Sequence, residues 1–381
     1  MIRRFAPQLL LALAACGGAS RTTSPNDQLA ADLARLLDTT LAQSPEVPGV
    51  MLRVEAPTLG FVWTNAVGVF DKATREPLRP EHTVRIASNT KTYVAAAILR
   101  LVEDGKLGLD DPIGRHVLPA SVAKLKEDGY DAGAITVRML LQHTSGLFDY
   151  AMSPEFLGRA GSDPTHRWTR AEQVAFAVDH GAPYGAPGAV YHYSDTGYIL
   201  LGEILEKVTG RSMAQAVRDL VDFDRHGIRF TYFETLDSVP PGTPPQARQY
   251  FDSLDATGFD ASVDLYGGGG LVSNLEDLAK FYRALVRGEV FKQKATLDTM
   301  LVMSPQSQQG GGGGYGMGIG RGETGGVVCY GHGGFWGTVA RHCPAIDLTV
   351  TAAVNQTSGE ALPKVTIEAM RLAAAAIAAR R

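Results

Sequence analysis

From Asp27 onward the apolar positions recur with helical spacing: Leu29, Leu33, Leu36, Leu37 and Leu41 share one face, which predicts an amphipathic helix. Strand-like segments follow near residues 50–54 and 61–69, separated by Pro57 and Gly60. Residues 83–87 read as extended and run into an Ala-rich apolar stretch from Ser88 to about Glu103, which Gly105 stops. As a helix, that stretch has almost no polar face and must be buried on nearly all sides. Helical segments broken by Pro/Gly loops then dominate, over residues 136–141, 170–178, 196–208 and 212–221. A glycine run at 267–270 opens the last third. There a helix is expected over 277–287, strands over 316–320, 327–331 and 338–354, and an amphipathic helix over 362–378. No repeat of fixed period is present. Helices and strands at both ends around a helical middle predict one α/β domain, residues 27–105 and 262–381, interrupted by a helical insertion over 106–261. Residues 310–314, all glycine, read as a loop without chemistry.

The chain has 381 residues, of which 45% are hydrophobic and 20% charged, the balance of a soluble globular protein. The formal net charge of -4 comes without a dense Lys/Arg block, which argues against nucleic acid as a partner and leaves small-molecule or peptide substrates open. The N-terminus changes the picture. Arg3 and Arg4 precede an apolar stretch from Phe5 to Ala15, well short of the ~20 residues a spanning helix needs. It ends in Leu13-Ala14-Ala15-Cys16-Gly17, which resembles a bacterial lipoprotein box, where the Cys is acylated and becomes the new N-terminus. The expectation is a signal peptide over 1–15, a small polar tether over 16–26, and a periplasmic protein held to the membrane by a lipid on Cys16. An ordinary signal peptide carrying a chance Cys is the plainer alternative.

Only Cys329 and Cys343 remain, flanking an expected hairpin turn. In an oxidising compartment they form either a cross-strand bridge, with Cα atoms ~4.4–6.8 Å apart, or two buried thiols. Their spacing fits no zinc pattern, and the sequence calls for no metal and no cofactor.

Ser88-Asn89-Thr90-Lys91 sets a hydroxyl and an amine three residues apart at a helix start, hence on one face. A serine hydroxyl is a poor nucleophile until a base takes its proton. A lysine becomes such a base where burial disfavours its charged form, and burial is what this helix predicts. The same spacing recurs at Ser121-Val122-Ala123-Lys124, ahead of Lys126, Glu127 and Asp128, a solvated face where an amine keeps its proton. Position decides for Ser88. Two further elements join it: Tyr193-Ser194-Asp195 just before a helix, and His332-Gly333-Gly334 at a strand end before the turn Phe335-Trp336-Gly337.

The order Ser-x-x-Lys, Tyr-x-Asn, Lys/His-Thr-Gly resembles that of class C β-lactamases, penicillin-binding DD-peptidases and related esterases. Supporting segments are ITVRMLLQHTSGL from Ile135, YSDTGYILLGEILEKVTG from Tyr193 and GGGGLVSNLEDLAKF from Gly267, so the likeness runs from about Pro48 to Asn355. It implies an antiparallel sheet flanked by N- and C-terminal helices with an inserted all-α subdomain. It also implies that Ser88 is acylated, that Lys91 and Tyr193 move its proton, and that the backbone N–H groups of Ser88 and Phe335 form an oxyanion hole. Asp195, His332, Gly333 and Gly334 would line the substrate cleft.

Two departures bear on the substrate. Gly333 stands where the family has a Thr that helps bind a substrate carboxylate, and Asp195 stands where it usually has Asn. Hydrolysis of a D-amino-acid peptide, as by a DD-carboxypeptidase, or of a small ester or amide is therefore expected ahead of β-lactam hydrolysis. A non-catalytic sensing module on the same fold is the reading from another class, and an intact Ser88, Lys91 and Tyr193 argues against it. Gly320 to Gly325 matches a dinucleotide fingerprint by letter, but a strand follows where a helix is required. No Gly-x-Ser-x-Gly elbow exists. Asp149, Tyr150 and Arg170 read as ordinary surface residues.

Overall fold

A computed structural model describes residues 24–309, 313–357 and 359–380. Cys16, the signal and most of the tether lie outside the described residues, as do Gly310, Gly311 and Gly312. In chain order the first elements are α1 (Pro25–Gln43), β1 (Gly49–Ala56), β2 (Phe61–Gly68), β3 (Val84–Arg85) and α2 (Asn89–Glu103). The middle brings α3 (Pro119–Glu127), α4 (Val137–Leu141), α5 (Pro154–Ser162), α6 (Arg170–His180), α7 (Asp195–Thr209) and α8 (Met213–Val221). Short strands follow: β4 (Tyr232–Phe233), β5 (Tyr250–Phe251), β6 (Leu254–Asp255) and β7 (Leu271–Ser273). The last third holds α9 (Leu275–Val286), α10 (Lys294–Met300), α11 (Pro305–Gln308), β8 (Gly320–Thr324), β9 (Val327–Gly334), β10 (Thr338–Cys343), β11 (Leu348–Val354) and α12 (Ala361–Ala378).

The main sheet runs β2-β1-β11-β10-β9-β8 with every neighbour antiparallel. Its two ends of sequence meet at the centre, where Val50 faces Val354 and Val54 faces Val350. Alternation sorts the side chains. Val50, Leu52 and Val54 turn to a layer made by α1 and α12, with Leu29, Leu33, Leu37, Val365 and Ala369. Met51 turns the other way, into the larger core around α2, α7 and α9. Each fully buried aliphatic side chain here contributes about 1.5–3 kcal/mol.

Helix α2 is buried at every position from Asn89 to Leu99, as its sequence demands. It leaves the small sheet β3-β7-β4, whose pairing of Val84 with Ser273 and Arg85 with Val272 fixes where the helix begins. Arg85 holds the surrounding loop with a double hydrogen bond to Glu234 (2.7 and 2.9 Å) and donates to the carbonyl of Phe259 (2.9 Å).

Several boundaries differ from the sequence reading. Residues 338–354 are two strands, because Pro344 and the left-handed Asp347 (φ 50°) turn the chain between them. Residues 316–319 are irregular, and β8 starts only at Gly320. Cys329 and Cys343 lie opposite one another on β9 and β10 and are bridged, with Cα atoms 4.0 Å apart, slightly closer than the usual range.

Candidate active site

Ser88 occupies the N-cap of α2, yet its backbone is helical (φ -63°, ψ -10°) and its side chain caps nothing. The hydroxyl is therefore free for other work. Ala87 just before it is held at φ 44°, a left-handed conformation that costs a non-glycine residue energy and commonly marks a functional turn. Lys91, one turn on, has no exposed side-chain surface. Its Nζ donates to Ser88 Oγ (2.9 Å), to the Gly268 carbonyl (2.7 Å) and to Asp195 Oδ1. Three acceptors match the three donors of an ammonium. The Gly267–Gly270 run makes this approach possible, since a Cβ on Gly268 would collide with Asp195 Oδ1.

Tyr193 reaches the same place from the start of α7. Its Oη faces Ser88 without a hydrogen bond of good geometry, and burial holds its hydroxyl well above the usual phenol range. Its ring lies 4.2 Å from that of His143, and Lys91 Nζ sits 4.8 Å from the Tyr193 ring centroid. His143 Nδ1 accepts from the Ser194 N–H (3.1 Å), which anchors the Tyr193 segment to the QHTSG loop. The N–H groups of Ser88 and Phe335 find no acceptor among the described residues and border the same cleft, an arrangement able to receive a developing oxyanion.

His332 also lines the cleft, but both its nitrogens are engaged. Nδ1 pairs with the Gly333 carbonyl (2.5 Å), which requires a proton there, so Nε2 accepts from the Tyr315 hydroxyl (2.9 Å). Burial pushes its imidazole down to about 3, so it is neutral at ordinary pH. The competing pair behaves otherwise. Ser121 donates to Glu203 (2.8 Å), and Lys124 pairs on the surface with Asp179 (2.6 Å) and Glu127 (2.7 Å), carboxylates that raise its pKa.

Two carboxylates belong to the site that the sequence reading passed over. Asp149 is buried rather than superficial, and its Oδ1 accepts the Asp195 N–H (3.0 Å), so it holds the first residue of α7. Tyr150 is buried beside it, and Arg170 pairs with Glu206 (2.6 Å) away from Ser88. Asp264 lines the cavity in front of Ser88 together with Asp195. Burial first, then the charge of Asp195, pushes Asp149 and Asp264 each up to about 7. The signal for both was adjacency: Asp149 follows the HTSGL motif, and Asp264 lies just before the glycine run.

The raised Asp149 carboxyl makes a pH prediction. The folded state keeps a proton between about pH 4 and 7 that the unfolded chain has lost, so this contribution to stability is present below about pH 4 and disappears as pH rises through about 7. The buried neutral His143 and His332 act in the opposite sense, so the variant must be compared with its parent. Asp149→Asn keeps an acceptor for the Asp195 N–H. Its Tm relative to the parent is expected to be higher at pH 8 than at pH 4, whereas a difference independent of pH would show that Asp149 titrates like an exposed carboxylate.

Two cavities meet at Ser88, Tyr193 and Phe335. One, of about 230 Å³, is walled by Phe156, Leu157, Phe251, Leu254, Phe259 and Trp336, and its only charged lining groups among the described residues are Asp195 and Asp264. The other, of about 500 Å³, runs past His332, Gly333 and Gly334 toward Leu362 and Pro363, with no charged side chain along it among the described residues.

Known proteins share this fold. A D-stereospecific amidohydrolase from Streptomyces sp. superposes with a TM-score of 0.75 at 28% identity, covering 88% of this chain and 98% of that one. The D-amino acid amidase of Ochrobactrum anthropi SV3, complexed with L-phenylalanine amide, gives a TM-score of 0.76 at 26% identity, covering 93% and 99%. Penicillin-binding protein 4* of Bacillus subtilis is 28% identical over 273 residues, 68% of this chain and 56% of that protein, so the chain spans little more than half of that relative. The family model described as Beta-lactamase matches residues 37–375, which takes in both cavities and the residues around Ser88, and the chain belongs to that family of serine hydrolases.

Proposed function

We propose that this protein hydrolyses small amides, by way of an acyl-enzyme on Ser88, whose acyl part carries a free amino group and a bulky apolar side chain, as in a D-amino acid amide. The observation that carries this reading is the cavity in front of Ser88, apolar except for Asp195 and Asp264. Two carboxylates in an apolar chamber attract an ammonium and repel an anion. An N-acylated β-lactam brings no cation to meet them. The preference for the D-enantiomer rests on the likeness to the D-specific amidases.

In this mechanism the substrate ammonium competes with Lys91 for Asp195, which stays ionised, and Lys91 gives one proton to solvent, which frees an amine lone pair for the Ser88 proton. Ser88 Oγ then bonds to the carbonyl carbon, whose oxygen takes its negative charge between the two free N–H groups. The C–N bond breaks, and the proton that left Ser88 is delivered to the departing nitrogen through Lys91 and Tyr193. Water attacks the ester by the reverse route, giving its hydroxyl to the acyl carbon and a proton back to Ser88. The test compares kcat/KM for D-phenylalanine amide, its N-acetyl derivative, the L-enantiomer and a chromogenic cephalosporin. The free-amine D-amide should lead each of the others by at least tenfold, the scale of one charge-assisted hydrogen bond. Equal rates with and without the acetyl group would overturn it.

A further inference from the structure

A third cavity holds a cation without a partner. Arg341 lies in β10 opposite Gly331 of β9, and Gly331 lies opposite Gly320 of β8. Two glycines in line open a lane across the sheet face turned toward α12. The guanidinium lies in it, with Nη1 3.8 Å from where a Cβ on Gly320 would stand. The side chain of Arg341 makes no hydrogen bond or ion pair among the described residues. Burial lowers its guanidinium from the ordinary value, while the side chain, only half-buried, keeps part of its surface open to the cavity.

The cavity around it measures about 360 Å³ and is walled by Leu362, Pro363, Ile367 and Met370. Glu323 stands at its edge without pairing to Arg341. This cavity and the uncharged one beside Ser88 share Gly333, Gly334, Leu362 and Pro363, so the two adjoin at the glycine pair. The cavity beside Ser88 offers a carboxylate no cationic side chain in its lining among the described residues: His332 is neutral with both nitrogens engaged, and Gly333 has no hydroxyl.

We propose that Arg341 is the anion subsite of an extended leaving-group channel, taking the terminal carboxylate of a peptide two or three residues beyond the bond cleaved. The inference rests on the acyl-enzyme reading above. Gly331 is two residues along β9 from Gly333, roughly 7 Å at the rise of a strand, which sets that length.

The experiment uses D-phenylalanine amide and D-phenylalanine followed by one, two or three glycines, each peptide with a free carboxylate and as its C-terminal amide. In the parent, the acid should exceed the amide by at least tenfold in kcat/KM at two or three glycines, mainly through KM, and not at one. Arg341→Gln should erase that ratio while leaving D-phenylalanine amide within twofold, and Arg341→Lys should restore part of it. An unchanged ratio in Arg341→Gln overturns the proposal, and so does an equal loss on every substrate, which would make Arg341 structural. Calorimetric binding of triglycine to the parent and to Arg341→Gln reads the subsite separately. Failure of the acyl preference alone would leave that difference in place, and equal affinity in the two proteins would sink the subsite.

Discussion

Ser88→Ala is expected to lower hydrolysis by on the order of 10⁴-fold or more and to abolish covalent labelling by a fluorophosphonate, because among the described residues no second hydroxyl meets Lys91 Nζ. The control is Ser121→Ala. It removes only the hydrogen bond to Glu203, about 1 kcal/mol of stability, and should leave labelling and turnover intact. Comparable loss in both variants would show that neither Ser-x-x-Lys pair acts through its serine. The contrast is physical rather than positional. Ser88 stands at the mouth of two cavities beside a fully buried amine, while Lys124 is tied on the surface by two carboxylates.

Asp195→Asn is expected to cut kcat/KM for the free-amine amide by about a hundredfold while sparing a neutral acyl ester, so that the two exchange rank. The asparagine still offers an oxygen to Lys91 but removes one of two charges facing the substrate ammonium. It also removes a negative neighbour of Asp149 and Asp264, whose carboxyls Asp195 pushes upward. The acidic limb of the pH–rate profile should therefore move to lower pH. A variant with the parent's substrate ranking and pH profile would reduce Asp195 to a holder of Lys91.

Much of this was legible in the sequence where local pattern and burial agree. The apolar helix after Ser88 needed no tertiary information, because a segment with almost no polar face has one place to go. The contrast between Ser88 and Ser121 was readable for the same reason. What stayed hidden depends on residues brought together from distant loops. Asp149 and Asp264 are single acids in irregular segments, with no periodicity to mark them. The partner of Cys329 was a choice between two outcomes until the register of β9 against β10 was fixed. Asp195 gave a half-answer. Its departure from the family's Asn was visible in the sequence, but its contact with Lys91 came only with the geometry. Helix α3 was missed because it carries few apolar residues, with only Leu125 buried.

The pairing of β1 with β11 bears on how the molecule is made. Val354, the strand neighbour of Val50, is synthesised roughly 300 residues after it, so the central ladder stays open over all that length of chain. Meanwhile α2 emerges as an apolar segment whose covering helices α7 and α9 arrive far later. Contacts of such long sequence separation fold slowly and leave sticky surface exposed on the way. A nascent chain stopped between about residues 91 and 348 thus carries the nucleophile and its amine but lacks β11, the strand that joins the two halves of the sheet.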